Sequence, residues 1–230
     1  MTALTLVIGN RNYSSWSLRP WLALRAAGVP FEEVLVNLND PDVSAQILRH
    51  SPTAKVPVLR HGTLVVWESL AICEYVAELF PEARLWPEDR EARAMARCAA
   101  TEMHAGFADM RTHMNMNIRA RHPEGTNQHI PAVAADVARV KTLWNDCRAY
   151  TKKNPALAAQ GPYLFGAYGI VDAMFAPVVA RFVTYGVSLE GEAKVYHDAM
   201  LAHPHYVEWI RLAGAQDASW TMEKYERPCT

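Results

Sequence analysis

The stretch Lys55-Val56-Pro57-Val58-Leu59-Arg60-His61-Gly62-Thr63-Leu64-Val65-Val66-Trp67-Glu68-Ser69-Leu70 decides the fold. Val56 to Arg60 and Thr63 to Val66 read as two short strands joined at His61-Gly62. A proline inside such a strand removes a ladder hydrogen bond. A cis peptide at the strand's start accounts for it, because cis bonds are nearly confined to X-Pro and sit in tight turns. That geometry is expected to leave the N–H and C=O of Val56 unpaired and outward, where an extended peptide-like ligand could add as a strand does. Glu68-Ser69 stands immediately before a helical pattern (Leu70, Ile72, Tyr75, Val76, Leu79), and helix N-termini bind carboxylates through free N–H groups. The two pieces describe a clamp for a small peptide with a free amino-acid end.

Working outward, Leu4 to Gly9 is a short apolar strand, followed by a polar turn, Asn10 to Ser15. A helix from about Ser17 to Ala27 ends at Gly28, in the position glycine favours after a helix. Phe31 to Leu38 alternates as a second strand, and Val43 to His50 is a short helix capped by Asp40-Pro41-Asp42. With the hairpin and a helix from Ser69 to about Phe80, the order is β-α-β-α-β-β-α, a thioredoxin-like α/β domain over residues 1–80. Residues 81–87 read as a linker with apolar anchors Leu85 and Trp86. From residue 88 the pattern is helical: Met95, Cys98, Ala99, Met103, Gly106 and Met110 recur at helical spacing. After a break at Arg119 to His129, so do Val133, Val137, Val140, Trp144 and Cys147. The second domain, 88–230, is therefore expected to be an all-α helical bundle. Within it Gly169 is expected to cap a helix whose Asp172, three residues on, reaches back to the cap, and Pro177 is expected inside that helix.

Half of the 230 residues are hydrophobic and a fifth are charged, with a formal net charge of −1. A balance this close to neutral gives no electrostatic case for nucleic acid or an anionic membrane. Met1 to Asn10 lacks the basic and apolar regions of a signal peptide, and no apolar run approaches the length of a membrane span. Cys73, Cys98, Cys147 and Cys229 form no CxxC, and the first three, within helical patterns, are expected to be small buried hydrophobes in a reducing cytoplasm. The one close histidine pair, His203-Pro204-His205, has no cysteine or carboxylate cluster beside it, so no metal site is expected.

Val56-Pro57 followed by Glu68-Ser69 and a helical C-terminal half resembles the glutathione transferase superfamily, and the resemblance runs over essentially the whole chain. It implies that glutathione is the co-substrate. Val56 would pair its backbone with the cysteinyl part, and Pro57 would fix that geometry. Glu68 would meet the α-ammonium and Ser69 the α-carboxylate. Lys55 would either reach the glycyl carboxylate or stay solvated. The resemblance also implies a small electrophilic second substrate and a homodimer.

Glutathione chemistry needs a thiolate. A free thiol has a pKa of about 8.5, and lowering it by roughly two units takes about 3 kcal/mol. One donated hydroxyl hydrogen bond at a helix N-terminus can supply that. The first strand-to-helix turn, Asn12-Tyr13-Ser14-Ser15-Trp16-Ser17-Leu18-Arg19, resembles the zeta-class signature Ser-Ser-Cys-x-x-Arg, with Trp16 at the cysteine and Arg19 at the arginine. On that match Ser14 is the first candidate to stabilise the thiolate, Ser15 is its neighbour, and Arg19 adds positioning or positive potential. Tyr13 is the rival, because other classes use a tyrosine in this turn. No cysteine lies in the turn to carry mixed-disulfide chemistry. The electrophile pocket is expected between the domains. Trp16 and a long helix would line it, the helix contributing the run Met110 to Arg119, with Met110, Met114 and Met116 as an adaptable apolar wall. Arg111 and Arg119 would hold an acidic substrate; core methionines with surface arginines are the plainer alternative.

Overall fold

The structure, a computed structural model, describes residues 3–228. Four strands, β1 (Leu4–Ile8), β2 (Glu32–Leu35), β3 (Val58–His61) and β4 (Leu64–Trp67), form one sheet in the order β2-β1-β3-β4. β1 pairs parallel with β2 and antiparallel with β3, and β3 pairs antiparallel with β4. Between them lie α1 (Ser15–Ala26) and α2 (Val43–Leu48), and α3 (Ser69–Leu79) follows β4, so the β-α-β-α-β-β-α order is as expected. Side chains alternate across the sheet. Leu4, Leu6, Ile8 and Leu59 join the large core that includes α1 and α3. Val7 and Val58 face the other way and pack with Val36 and Ile47 of the α2 side.

The boundaries differ from the sequence reading for local reasons. β3 begins at Val58 rather than Val56 because the Val56-Pro57 bond is cis and Pro57 has no N–H for a ladder. β2 ends at Leu35 because the chain then bends toward the turn after β1, where Leu38 N donates to Asn10 Oδ1 at 2.7 Å.

The rest of the chain is helical: α4 (Arg90–Ala105), α5 (Ala108–His113), α6 (Pro131–Lys153), α7 (Pro155–Ala158), α8 (Ile170–Thr184), α9 (Gly191–Ala202) and α10 (Pro204–Gly214). Every residue of α8 except Val183 is buried. α8 packs against α1, and this contact is a main join between the sheet part and the bundle. α6 buries Val133, Val137, Val140, Trp144 and Cys147 as expected, and Trp144 packs on Phe175, Phe182 and Tyr196.

Two expectations are corrected here. The buried face of α4 is Ala92, Ala96, Ala99, Ala100 and Met103, with Cys98 exposed and Met95 only partly covered. The inner stripe is made of small residues, which let α8 approach closely, so the larger apolar side chains misled the reading. The helical run also does not continue to residue 119. Phe107 adopts φ +59, a Cβ on Gly106 would sit 2.8 Å from the Glu102 carbonyl oxygen, and α5 ends at His113. Residues 114–130 are not helical. Cys73 and Cys147 are buried, and burial pushes both thiols up to about 12. Cys229 lies outside the described residues.

Leu85 and Trp86 are buried anchors between the sheet part and the bundle. Trp86 donates to Glu74 of α3 at 2.9 Å, and the Leu85 carbonyl accepts from Ile170 of α8 at 2.9 Å. Asp172 reaches back as expected, accepting from Gly169 N at 2.8 Å and Leu164 N at 3.2 Å. Among the described residues no helix is long and apolar enough to cross a membrane.

Candidate functional site

The turn from β1 into α1 is organised by Asn10, which is fully buried. Its carbonyl accepts from the N–H groups of Tyr13 (3.1 Å) and Ser14 (2.8 Å), closing the turn. Its side chain ties the turn to Leu38 and, through Nδ2, to the Trp220 carbonyl at 2.8 Å. Ser14 is the N-cap residue of α1. Its hydroxyl lies 2.8 Å from that of Ser17, which also accepts the Gly9 N–H at 3.1 Å. Ser15 opens the helix, and both Ser14 and Ser15 line a cavity. The Tyr13 hydroxyl is occupied: it donates to Glu226 and accepts from Arg119 Nη2 and Met222 N, both at 3.3 Å.

The hairpin and α3 build a cleft of about 170 Å³ lined by Trp16, Thr53, Lys55, Val56, Pro57, Glu68 and Ser69. All five clamp residues named from sequence meet there. Among the described residues, the backbone N–H and C=O of Val56 have no hydrogen-bond partner. Glu68 sits at φ +67 at the head of α3 and is exposed. Ser69 is 1% exposed, and its hydroxyl has no partner. A buried hydroxyl left without a bond costs about 1–3 kcal/mol, a cost that a ligand acceptor at the helix mouth removes.

A larger cavity of about 610 Å³ lies between the sheet part and the bundle. Trp16 lines both cavities and so forms the wall between them. Ser14, Ser15, Tyr13, Lys55, Val56 and Arg111 line the larger one. Three of the residues expected in it lie elsewhere. Met110 and Met114 are fully buried in the core, Met110 on the inner side of α5 and Met114 at the residue that ends it. Arg119 is drawn to the Tyr13 hydroxyl, because residues 118 and 119 are tied to the turn through Asn12: Ile118 N donates to its carbonyl at 3.2 Å and Arg119 N to its Oδ1 at 3.0 Å.

Asn115 and Met116, expected on a helix, line the cavity from the non-helical segment; sequence reading missed Arg181 from α8, and Met222, Lys224 and Tyr225 from the C-terminal segment. Arg181 carried a signal, a lone charge in an otherwise apolar helix. The C-terminal residues carried none, since only the fold returns them to the first turn. They are held there by asparagines. Asn115 and Asn117 both donate to the Tyr225 carbonyl, at 3.1 and 3.0 Å, and Asn39 donates to the Thr221 carbonyl at 3.2 Å.

Beneath Trp16 lies Arg19, fully buried, with its guanidinium 4.2 Å from the ring centroid. Its Nε donates to the Met174 carbonyl at 3.1 Å, while Nη1 and Nη2 have no partner. Burial, then the neighbouring Arg181 and Arg111, bring its pKa down to about 9. Arg181 donates to the carbonyls of Met114 (2.7 Å) and Pro177 (3.2 Å), and burial and then Arg111 bring it down to about 10. Arg19 does not line the cavity itself, so its influence there is through positive potential and the placement of Trp16.

The family model for the glutathione S-transferase N-terminal domain matches residues 13–79. Glutathione S-transferase 1 of Dianthus caryophyllus is 40% identical over 83 residues, a stretch that spans 36% of this chain and 38% of that protein. Maleylacetoacetate isomerase of Rattus norvegicus is 27% identical over 191 residues, covering 81% of this chain and 82% of the relative. Among solved structures, the theta class glutathione S-transferase of Xanthomonas axonopodis pv. citri with glutathione bound is 25% identical. It superposes with a TM-score of 0.63 over 91% of this chain and 98% of that one.

Proposed function

The chain belongs to the glutathione S-transferase superfamily, and on that premise we propose that it is a glutathione transferase whose serine turn activates the glutathione thiol. The reaction would be attack on a small electrophile, either conjugation or cis-trans isomerisation by reversible addition. The observation that carries this reading is the convergence of two cavities on Trp16. One gathers Val56, Glu68 and Ser69, the other Ser14 and Ser15.

Glutathione would lie in the smaller cleft, its cysteinyl part pairing with Val56, its α-ammonium near Glu68 and its α-carboxylate on Ser69. Lys55, which lines both cavities, stands where the glycyl end would emerge. The thiol would then reach the mouth of α1. Tyr13 is a poor donor there, since its proton is held by Glu226. Ser14 is favoured over Ser15 by Ser17. A hydroxyl pair 2.8 Å apart can reverse its direction without losing a bond. Ser17, still accepting from Gly9, then donates to Ser14, and the Ser14 proton turns to the thiolate. The exchange adds a charge-assisted hydrogen bond, roughly twice as strong as a neutral one. Ser17 is a positioning residue in this scheme.

Isomerase-type chemistry is favoured by a relative that spans most of the chain, a maleylacetoacetate isomerase; Trp16 in place of the zeta-class cysteine counts against zeta-specific isomerisation and leaves thiol activation by serine untouched. A cytoplasmic homodimer fits the reading, and Leu64 and Trp67 on β4 are exposed apolar residues available to an interface. A carrier that binds glutathione without activating it would keep the cleft but not the thiol shift. The test is an ultraviolet titration of bound glutathione against pH. Wild type is expected to hold the thiol below its free value, and Ser14→Ala to raise it by about one to two units. Binding with an unshifted thiol in wild type would make the protein a carrier.

A further inference from the structure

Among the described residues, the cavity beside the serine turn is lined by four cationic side chains, Lys55, Arg111, Arg181 and Lys224, and by no aspartate or glutamate. The whole chain is close to neutral, so this is a local concentration. Arg181 is 3% exposed and its hydrogen bonds run only to neutral carbonyls. Arg111 donates to the His104 carbonyl at 3.1 Å and stacks over Trp16 at 5.4 Å. Asp136, whose charge Arg111 feels, is committed to Met110 N at 2.9 Å. Among the described residues neither arginine forms an ion pair. Arg19, with two amino groups unsatisfied, adds positive charge behind Trp16. Buried cations without a carboxylate partner are costly, and guanidinium groups match carboxylates in geometry. Arg111 and Arg181 do not line the smaller cleft with Glu68 and Ser69, so the amino-acid end of glutathione does not account for them.

We propose that this cavity is a carboxylate site, held by Arg111 and Arg181, and that the electrophile of the reaction bears a carboxylate. The inference rests on the glutathione reading above. The probes are benzylideneacetone and its para-carboxylate, which share one reactive enone. In both, the thiolate forms a C–S bond at the β-carbon, the π pair moves to the carbonyl, and the enolate takes a proton from water. Wild type is expected to prefer the carboxylate by about tenfold or more in kcat/KM, and Arg111→Met to lower that preference about tenfold. Arg181→Lys, which keeps the charge but loses the bidentate fork, should lower it by a smaller factor. A second arm measures, by calorimetry, binding of glutathione and of the saturated, unreactive ketone carboxylate. If glutathione binds and the neutral enone reacts, but the preference is absent or unchanged in both variants, the carboxylate site is overturned and the transferase reading stands. If glutathione does not bind, the transferase reading fails. Saturated carboxylate that still binds, more weakly in Arg111→Met, would then support the site alone, and failure to bind would overturn it as well.

Discussion

At the scale of single residues, the first turn concentrates its chemistry in hydroxyl pairs rather than in one side chain. Ser17, unnoticed in the sequence as anything but a helical residue, shares its hydrogen bond with Ser14 and takes the Gly9 N–H. If Ser14 stabilises a thiolate, Ser17→Ala removes the donor that lets Ser14 turn outward. The bound thiol pKa is expected to rise by about half to one unit, less than in Ser14→Ala, when followed by thiolate absorbance. A cap-only role for Ser17 would lower stability and leave the thiol pKa where it was. Asp172 illustrates the opposite case, a buried carboxylate with structural duties. Burial pushes its carboxyl up to about 7, against the N–H bonds from Gly169 and Leu164 that pull it down. The folded protein thus holds the proton more tightly than the unfolded chain does. This contribution to stability is fully present below the unfolded value near 4 and is lost as pH rises to about 7. Denaturant unfolding across that window should show wild type losing about 2–4 kcal/mol relative to Asp172→Asn, which cannot titrate.

At the scale of elements, the start of α8 depends on a glycine at a cap position that serine, threonine, aspartate or asparagine ordinarily fills. The Leu85 carbonyl explains the exception. It accepts the Ile170 N–H at 2.9 Å, and a Cβ on Gly169 would lie 2.6 Å from its oxygen. A hydroxyl cap and this close approach exclude one another, so the chain keeps the Asp172 half of the capping motif and replaces the rest with a backbone contact to residue 85. Gly169→Ser, which supplies an ordinary capping residue, is therefore expected to destabilise the fold by about 1–3 kcal/mol, read as a lower unfolding midpoint. An unchanged or raised midpoint would show that Leu85 can move aside.

At the scale of the molecule, the turn after β1 meets the C-terminal segment. The segment 217–226 lies across the cavity between the sheet part and the bundle. Tyr225 packs on Tyr13 with ring centroids 5.8 Å apart, and Asn10, Asn39, Asn115 and Asn117 hold its carbonyls. Side-chain amides bonded to backbone carbonyls fix a segment that has no regular partner of its own. Removing residues 221–230 is expected to uncover Tyr13 and the larger cavity and to lower the melting temperature by a few degrees. KM for an electrophile should rise more than KM for glutathione, since the smaller cleft does not touch this segment. Equal changes in both would indicate that the segment acts through general stability.

Strand and helix order in the first eighty residues, the cis bond before Pro57, and the positions of Glu68-Ser69 and Ser14-Ser15 at the heads of two helices were legible from sequence. Each rests on neighbours in the chain: a period of two or 3.6, a proline's missing N–H, a hydroxyl ahead of a helix. The stripe of α6 and the Gly169–Asp172 cap were legible for the same reason. What the tertiary structure alone decided is which side chains face the second cavity. Met110, Met114 and Arg119 pointed there by spacing along an assumed helix, but Phe107 at a positive φ and the end of α5 at His113 rotate them away. Arg181, 70 residues after Arg111 in number, and Tyr225, near the other end of the chain from Tyr13, enter the site because α8 packs on α1 and the C-terminal segment folds back. Local spacing determines an element and its faces. Contacts between distant elements, set by how those faces pack, determine what surrounds the cavity.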